Sequence, residues 1–258
     1  MFLHTINEYL PPLIKGAMCA TGTLNANEWG YYLLTIKCLD IFVYALYLFF
    51  EHLDNREPAY PLTPSKYYLL LLAFFCALAE LFFVLSYYAN LKPNIITTCC
   101  SVDFTASNPV LYGLLGDGQF YANIFIGLFG LLLMLLFFQK RSNIGLSFAT
   151  LFVAVLYTVF GVYALKYFFV KYIYGLPTHQ CLFDIFFSQY YRVGYFIFGA
   201  YYLLLISVLL RLSLYVVKHK IKQDIDLLDN YLRFMAIVGL FFSFILPCLY
   251  YFWGKYQF

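Results

Sequence analysis

The 258-residue chain is 64% apolar and 23% aromatic, with 11% charged side chains. That is more apolar surface than a soluble core of this size buries, so the composition excludes a water-soluble domain and implies an integral membrane protein. A net charge of +3, with acidic residues interleaved among the basic ones, excludes nucleic acid as a partner.

Residues 1–28 come first. Lys15 is the only Lys or Arg among Met1 to Ala26, and Pro11-Pro12 break the middle, so a signal peptide is not expected and insertion should rely on the later spans. The apolar stretch from Leu13 to Leu24 is too short to cross a bilayer and reads as an interfacial or re-entrant helix.

Six longer apolar stretches follow, at 29–50, 66–89, 119–138, 144–167, 190–215 and 230–253. Each approaches the roughly 20 residues that cross about 30 Å of hydrocarbon. Asn25 and Glu28 look like a helix N-cap pair ahead of the first, with Trp29, Tyr31 and Tyr32 as interfacial aromatics. Tyr87 and Tyr88 end the second at matching depth, and Trp253 and Tyr256 close the last. The longest connection, 90–118, is too short for a second domain. The expected fold is therefore all-α: one polytopic transmembrane helical bundle over residues 1–258, with 1–28 interfacial and 29–253 forming six spans.

Orientation follows from the positive-inside rule. With the N-terminus outside, the inner side holds Arg56, Lys66, Lys140, Arg141, Arg211, Lys218, Lys220, Lys222 and Arg233, nine residues. The outer side holds six: Lys15, Lys92, Lys166, Lys171, Arg192 and Lys255, with Lys37 inside the membrane. This places the N-terminus in the periplasm of a bacterium and the chain in its inner membrane.

Two clusters of metal-capable residues, Cys99-Cys100 and His179-Gln180-Cys181, then share the oxidising outer face. Adjacent cysteines are badly placed to bond to each other, so Cys181 is the natural partner of Cys99 or Cys100, either as a disulfide or in a thiolate site. Two or three thiolates with the His179 imidazole suit copper as Cu(I), or zinc. Asp184 is expected to cap a helix running into the fifth span, leaving Cys181 just ahead of a helix N-terminus that would lower its thiol pKa. Cys38 and Cys76 deep in spans, and Cys248 near the end of the last, read as buried small hydrophobes. No Cys-x-x-Cys, His-Glu-x-x-His, Walker loop or Gly-x-Gly-x-x-Gly is present. No His lies within the six stretches, which excludes bis-His haem inside the membrane.

Lys37 and Asp40 in the first span and Glu80 in the second are expected at one depth, ~12 to 14 Å below the outer ends at 1.5 Å per residue. Lys37 and Asp40 are i and i+3, on one helix face. Such a cluster reads either as a self-neutralising structural group or as a proton path or quinone-headgroup site.

The segments Leu91-Lys92-Pro93-Asn94 to Thr98-Cys99-Cys100-Ser101, and His179-Gln180-Cys181-Leu182-Phe183-Asp184 to Tyr190-Tyr191-Arg192-Val193-Gly194-Tyr195, resemble a family of multi-span accessory proteins encoded beside nitrous-oxide reductase. The resemblance covers about a fifth of the chain. It implies service to a periplasmic copper enzyme, through copper delivery, thiol upkeep or electron supply. The combined expectation is a membrane accessory protein with an outward Cys/His site that assists a periplasmic respiratory metalloenzyme or other membrane subunits. The alternatives are a membrane thiol-disulfide oxidoreductase linked to quinone, and a small-solute or ion transporter gated by Lys37, Asp40 and Glu80.

Overall fold

The structure, a computed structural model, describes residues 2–92, 94, 97, 118–139, 144–175, 181–221 and 225–254. Among these, six helices are long and apolar enough to span a bilayer. They are α1 (Trp29–Asp54), α2 (Thr63–Ala89), α3 (Gly118–Phe138), α4 (Ile144–Ala164), α5 (Val193–Val217) and α6 (Ile225–Gly254). The π-turn Leu165–Phe169 and the short helix Val170–Tyr174 carry α4 onward, so that its apolar span runs over Ile144–Tyr174. The chain is an all-α, multi-pass membrane protein.

Helices α3, α4, α5 and α6 pack around one core, in which Phe125, Tyr157, Tyr201 and Leu204 are buried. Helices α5 and α6 approach each other closely. A Cβ on Gly239 would lie 2.7 Å from the Leu204 nitrogen, so only glycine lets the two backbones come this near.

Helices α1 and α2 form a hairpin that packs chiefly on itself and meets the four-helix unit through two apolar clusters. In one, Phe49, Phe50 and Leu53 of α1 pack with Leu214 and Val217 of α5. In the other, Ile6, Leu10 and Leu24 of the N-terminal segment cover Leu33 and Tyr87 at the opposite end of the hairpin, with Phe183 packed against them. Most of α2 is exposed along its length, a surface suited to lipid tails.

The N-terminal segment is short turns rather than one helix: Phe2–His4, a π-turn at Thr5–Tyr9, a 3-10 turn at Pro11–Leu13, and Ala20–Leu24. Side chains close it on itself and on the hairpin. Thr23 Oγ1 donates to the Ile6 carbonyl at 2.8 Å, Asn7 Oδ1 accepts the Ala20 N–H at 3.0 Å, and the Tyr87 hydroxyl donates to the Thr23 carbonyl at 2.8 Å. Asn25 closes the Ala20–Leu24 helix instead of opening α1. It is Asn27 Oδ1 that accepts the Trp29 N–H, at 3.0 Å, while Glu28 makes no side-chain cap. The N-cap role is thus displaced by two residues, because a separate helical turn occupies the space before it.

At the other end, Arg211 is buried in α5 and is not a loop charge. Its guanidinium grips Asp229 of α6 with two bonds, at 2.6 and 3.1 Å, and donates to Gln139 Oε1 at 3.0 Å and the Tyr215 hydroxyl at 3.1 Å. Gln139 in turn donates to Ser147 at 2.8 Å and accepts from Thr150 at 3.1 Å. Each side chain of this network finds at least one partner, and it ties the ends of α3, α4, α5 and α6 together.

Candidate functional site

Cys19 lies in extended backbone immediately before Ala20–Leu24, fixed by the Asn7 and Thr23 bonds on either side of it. Cys181 lies where the chain turns back toward α5. The Tyr174 hydroxyl donates to the Cys181 carbonyl at 2.6 Å, and the 3-10 turn Asp184–Phe186 follows. Gly194, in the first turn of α5, lets that turn press close: a Cβ there would lie 2.7 Å from Ile185 and 2.9 Å from Phe186. The Arg192 guanidinium, 3.5 Å from Glu8, joins the N-terminal segment to this stretch.

These constraints bring two sulfurs that are 162 residues apart in sequence to 3.2 Å from each other. Both cysteines are buried, at 1% and 0% exposure. Asp184 is half-buried beside them, and its carboxylate with the two sulfurs falls within a 4.8 Å span. Thr21 Oγ1 stands 3.8 Å from the Cys181 sulfur. Burial first, then the Asp184 carboxylate, holds the neighbouring Tyr190 phenol above its ordinary range, so it stays neutral.

The spacing limits the chemistry. A disulfide requires about 2.05 Å between sulfurs. Two Zn–S bonds of about 2.3 Å meeting at a tetrahedral angle put the sulfurs roughly 3.8 Å apart. The observed separation of 3.2 Å is between these values, about 1.2 Å above the first and about 0.6 Å below the second, so either state is reached by a small shift. Charge separates the two ions that thiolates favour. Zn(II) balances two thiolates, whereas Cu(I) leaves one negative charge uncompensated in a buried place, with Asp184 adding another.

Cys99, Cys100 and His179 lie outside the described residues. Of the expected outer set, Cys181 is described, and its sulfur neighbour among the described residues is Cys19, which the sequence reading did not single out. Asp184 does not cap a helix into the fifth span. It heads a single 3-10 turn, Phe187 is extended, and Tyr191 and Arg192 are left-handed at φ 55 and 53 before α5 begins at Val193. The helix dipole invoked to acidify Cys181 is therefore missing there, and the Asp184 carboxylate instead stands beside the two sulfurs.

Of the intramembrane charges, the Lys37 ammonium donates to Glu80 across the α1–α2 hairpin. It also stands 5.1 Å over the Phe2 ring. Asp40 is 3% exposed and lies against the Glu80 carboxyl and the Cys76 thiol, both within hydrogen-bonding reach. Lys37 and Glu80 neutralise each other, and Asp40 joins the pair through Glu80.

The fold and this geometry define a polytopic helical membrane protein with a buried two-sulfur, one-carboxylate cluster at one end of its bundle. No protein-family model, curated protein or solved structure matches the chain.

Proposed function

We propose that the protein is a bacterial inner-membrane accessory protein that handles a thiophilic metal ion at its periplasmic face, through Cys19 and Cys181 with Asp184 as third donor. The observation that carries this reading is the approach of the two buried sulfurs to 3.2 Å with a carboxylate at hand. Charge balance favours Zn(II) in the resting site over Cu(I). The outward location rests on the excess of Lys and Arg in the connections at the opposite end. Service to a periplasmic respiratory metalloenzyme rests on the resemblance carried by 91–101 and 179–195.

The test is metal retention. Full-length protein purified under reducing conditions, loaded with Zn(II) or Cu(I) and desalted, is expected to keep close to one ion per chain. Cys19→Ser and Cys181→Ser should lose it, while Cys76→Ser and Cys248→Ser keep it. Loading equal to that of the two serine variants overturns the reading. A second reading, a thiol-disulfide relay, draws on the same 3.2 Å approach. It is favoured if no ion is retained and alkylation shows the Cys19 and Cys181 thiols cycling with external oxidant and reductant.

A further inference from the structure

Between the two apolar clusters that join the hairpin to the four-helix unit, α1 and α5 meet where Phe42 packs on the Tyr202 ring, and beside that contact lies a cavity of about 400 Å³. Its size falls within the range of small-ligand sites. Phe2, Phe183, Phe186, Phe198 and Tyr202 supply five aromatic rings to its wall, and Lys37 supplies its one charged group. Ile41 at its rim is exposed, so the cavity opens where lipid tails lie. Lys37 is eight residues below Trp29, which puts its floor ~12 Å beneath the interfacial aromatics.

Three features choose the occupant. The aromatic walls suit a flat ring. The Lys37 ammonium and the Tyr202 hydroxyl, which neighbours the Cys38 thiol, are hydrogen-bond donors, and among the described residues no carboxylate lines the cavity, so the ring must carry acceptors that take these donors over. Lys37 is already matched by Glu80, so an anionic headgroup would find no uncompensated positive charge there. A neutral acceptor needs none.

We propose that this seam binds a lipid-soluble quinone-type ring, its carbonyl oxygens accepting from Lys37 and Tyr202 and its tail leaving past Ile41. The inference does not depend on the metal reading, because Cys19 and Cys181 are not part of the lining.

The full-length protein in phosphatidylcholine nanodiscs, titrated calorimetrically with decylubiquinone, is expected to give saturable binding near one per chain. The paired variant Lys37→Met/Glu80→Gln, which removes both members of the ion pair, should weaken binding at least tenfold. Tyr202→Phe, which removes a single oxygen and leaves the ring in place, should weaken it about threefold or more, and it decides the matter if the paired variant does not fold. Oleate binding as tightly as decylubiquinone would overturn the proposal in favour of an anionic lipid site. Uptake that never saturates, or affinity unchanged in Tyr202→Phe and any folded Lys37→Met/Glu80→Gln protein, would overturn it outright.

Discussion

Asp40 is buried against Glu80 and Cys76, while the Lys37 charge is committed to Glu80. Replacing a buried polar group by an apolar one of similar shape is often neutral or stabilising. Asp40→Leu is therefore expected to keep or raise the midpoint in SDS or thermal unfolding, since the Lys37–Glu80 pair stays balanced. A drop in the midpoint would mean that the contacts with Glu80 and Cys76 stabilise the fold. In the sequence, the depth matching of Lys37 and Glu80 was legible because helical rise is constant. Which acid would take the ammonium was not, because that depends on how α2 is rotated against α1, and both helices are apolar nearly all round.

Among elements, the lesson lies in the short pieces. The long helices could be read from hydrophobic length alone, to within a few residues at most ends. The 181–192 stretch could not. A continuous helix from Asp184 seemed natural, but two left-handed residues, Tyr191 and Arg192, interrupt it, and contacts to Glu8 and Phe187 stabilise the break. Cys19 escaped notice for a similar reason: nothing local marks it, and its neighbour comes from 162 residues away. The one available signal was topological, since a re-entrant segment before the first span and the connection before the fifth must share a face. Arg211 and Asp229 carry the clearest prediction at this scale. Removing one member of a buried ion pair typically costs 3–5 kcal/mol, whereas replacing both with apolar residues is often near neutral. Arg211→Met should strongly lower the unfolding midpoint, and Arg211→Met/Asp229→Leu should recover most of the loss. If the double variant is as unstable as the single one, the Gln139 and Tyr215 bonds carry the stabilisation instead.

For the whole molecule, an even number of spans puts the N-terminal segment and the 181–192 stretch on one side and the α1–α2 turn on the other. Met18, Tyr191 and Tyr60 are all well exposed, which makes them suitable reporters. In sealed membrane preparations, a membrane-impermeant maleimide is expected to label Met18→Cys and Tyr191→Cys from the same side, and Tyr60→Cys only from the opposite one, each above the wild-type background. Labelling of all three from one side would refute the six-span topology. Sidedness relative to the periplasm follows from which preparation, right-side-out or inverted, gives the Met18→Cys signal.

The stretch from Cys181 to Phe186 belongs to two places at once. Its first residue carries a sulfur of the Cys19–Cys181 pair, and Leu182, Phe183 and Phe186 face the seam between hairpin and bundle. A ligand that fixes this stretch in one posture is expected to change the reactivity of the Cys181 thiol, and thermodynamic reciprocity makes the influence equal in the reverse direction. Six consecutive residues thereby connect the lipid-facing seam to the sulfur pair.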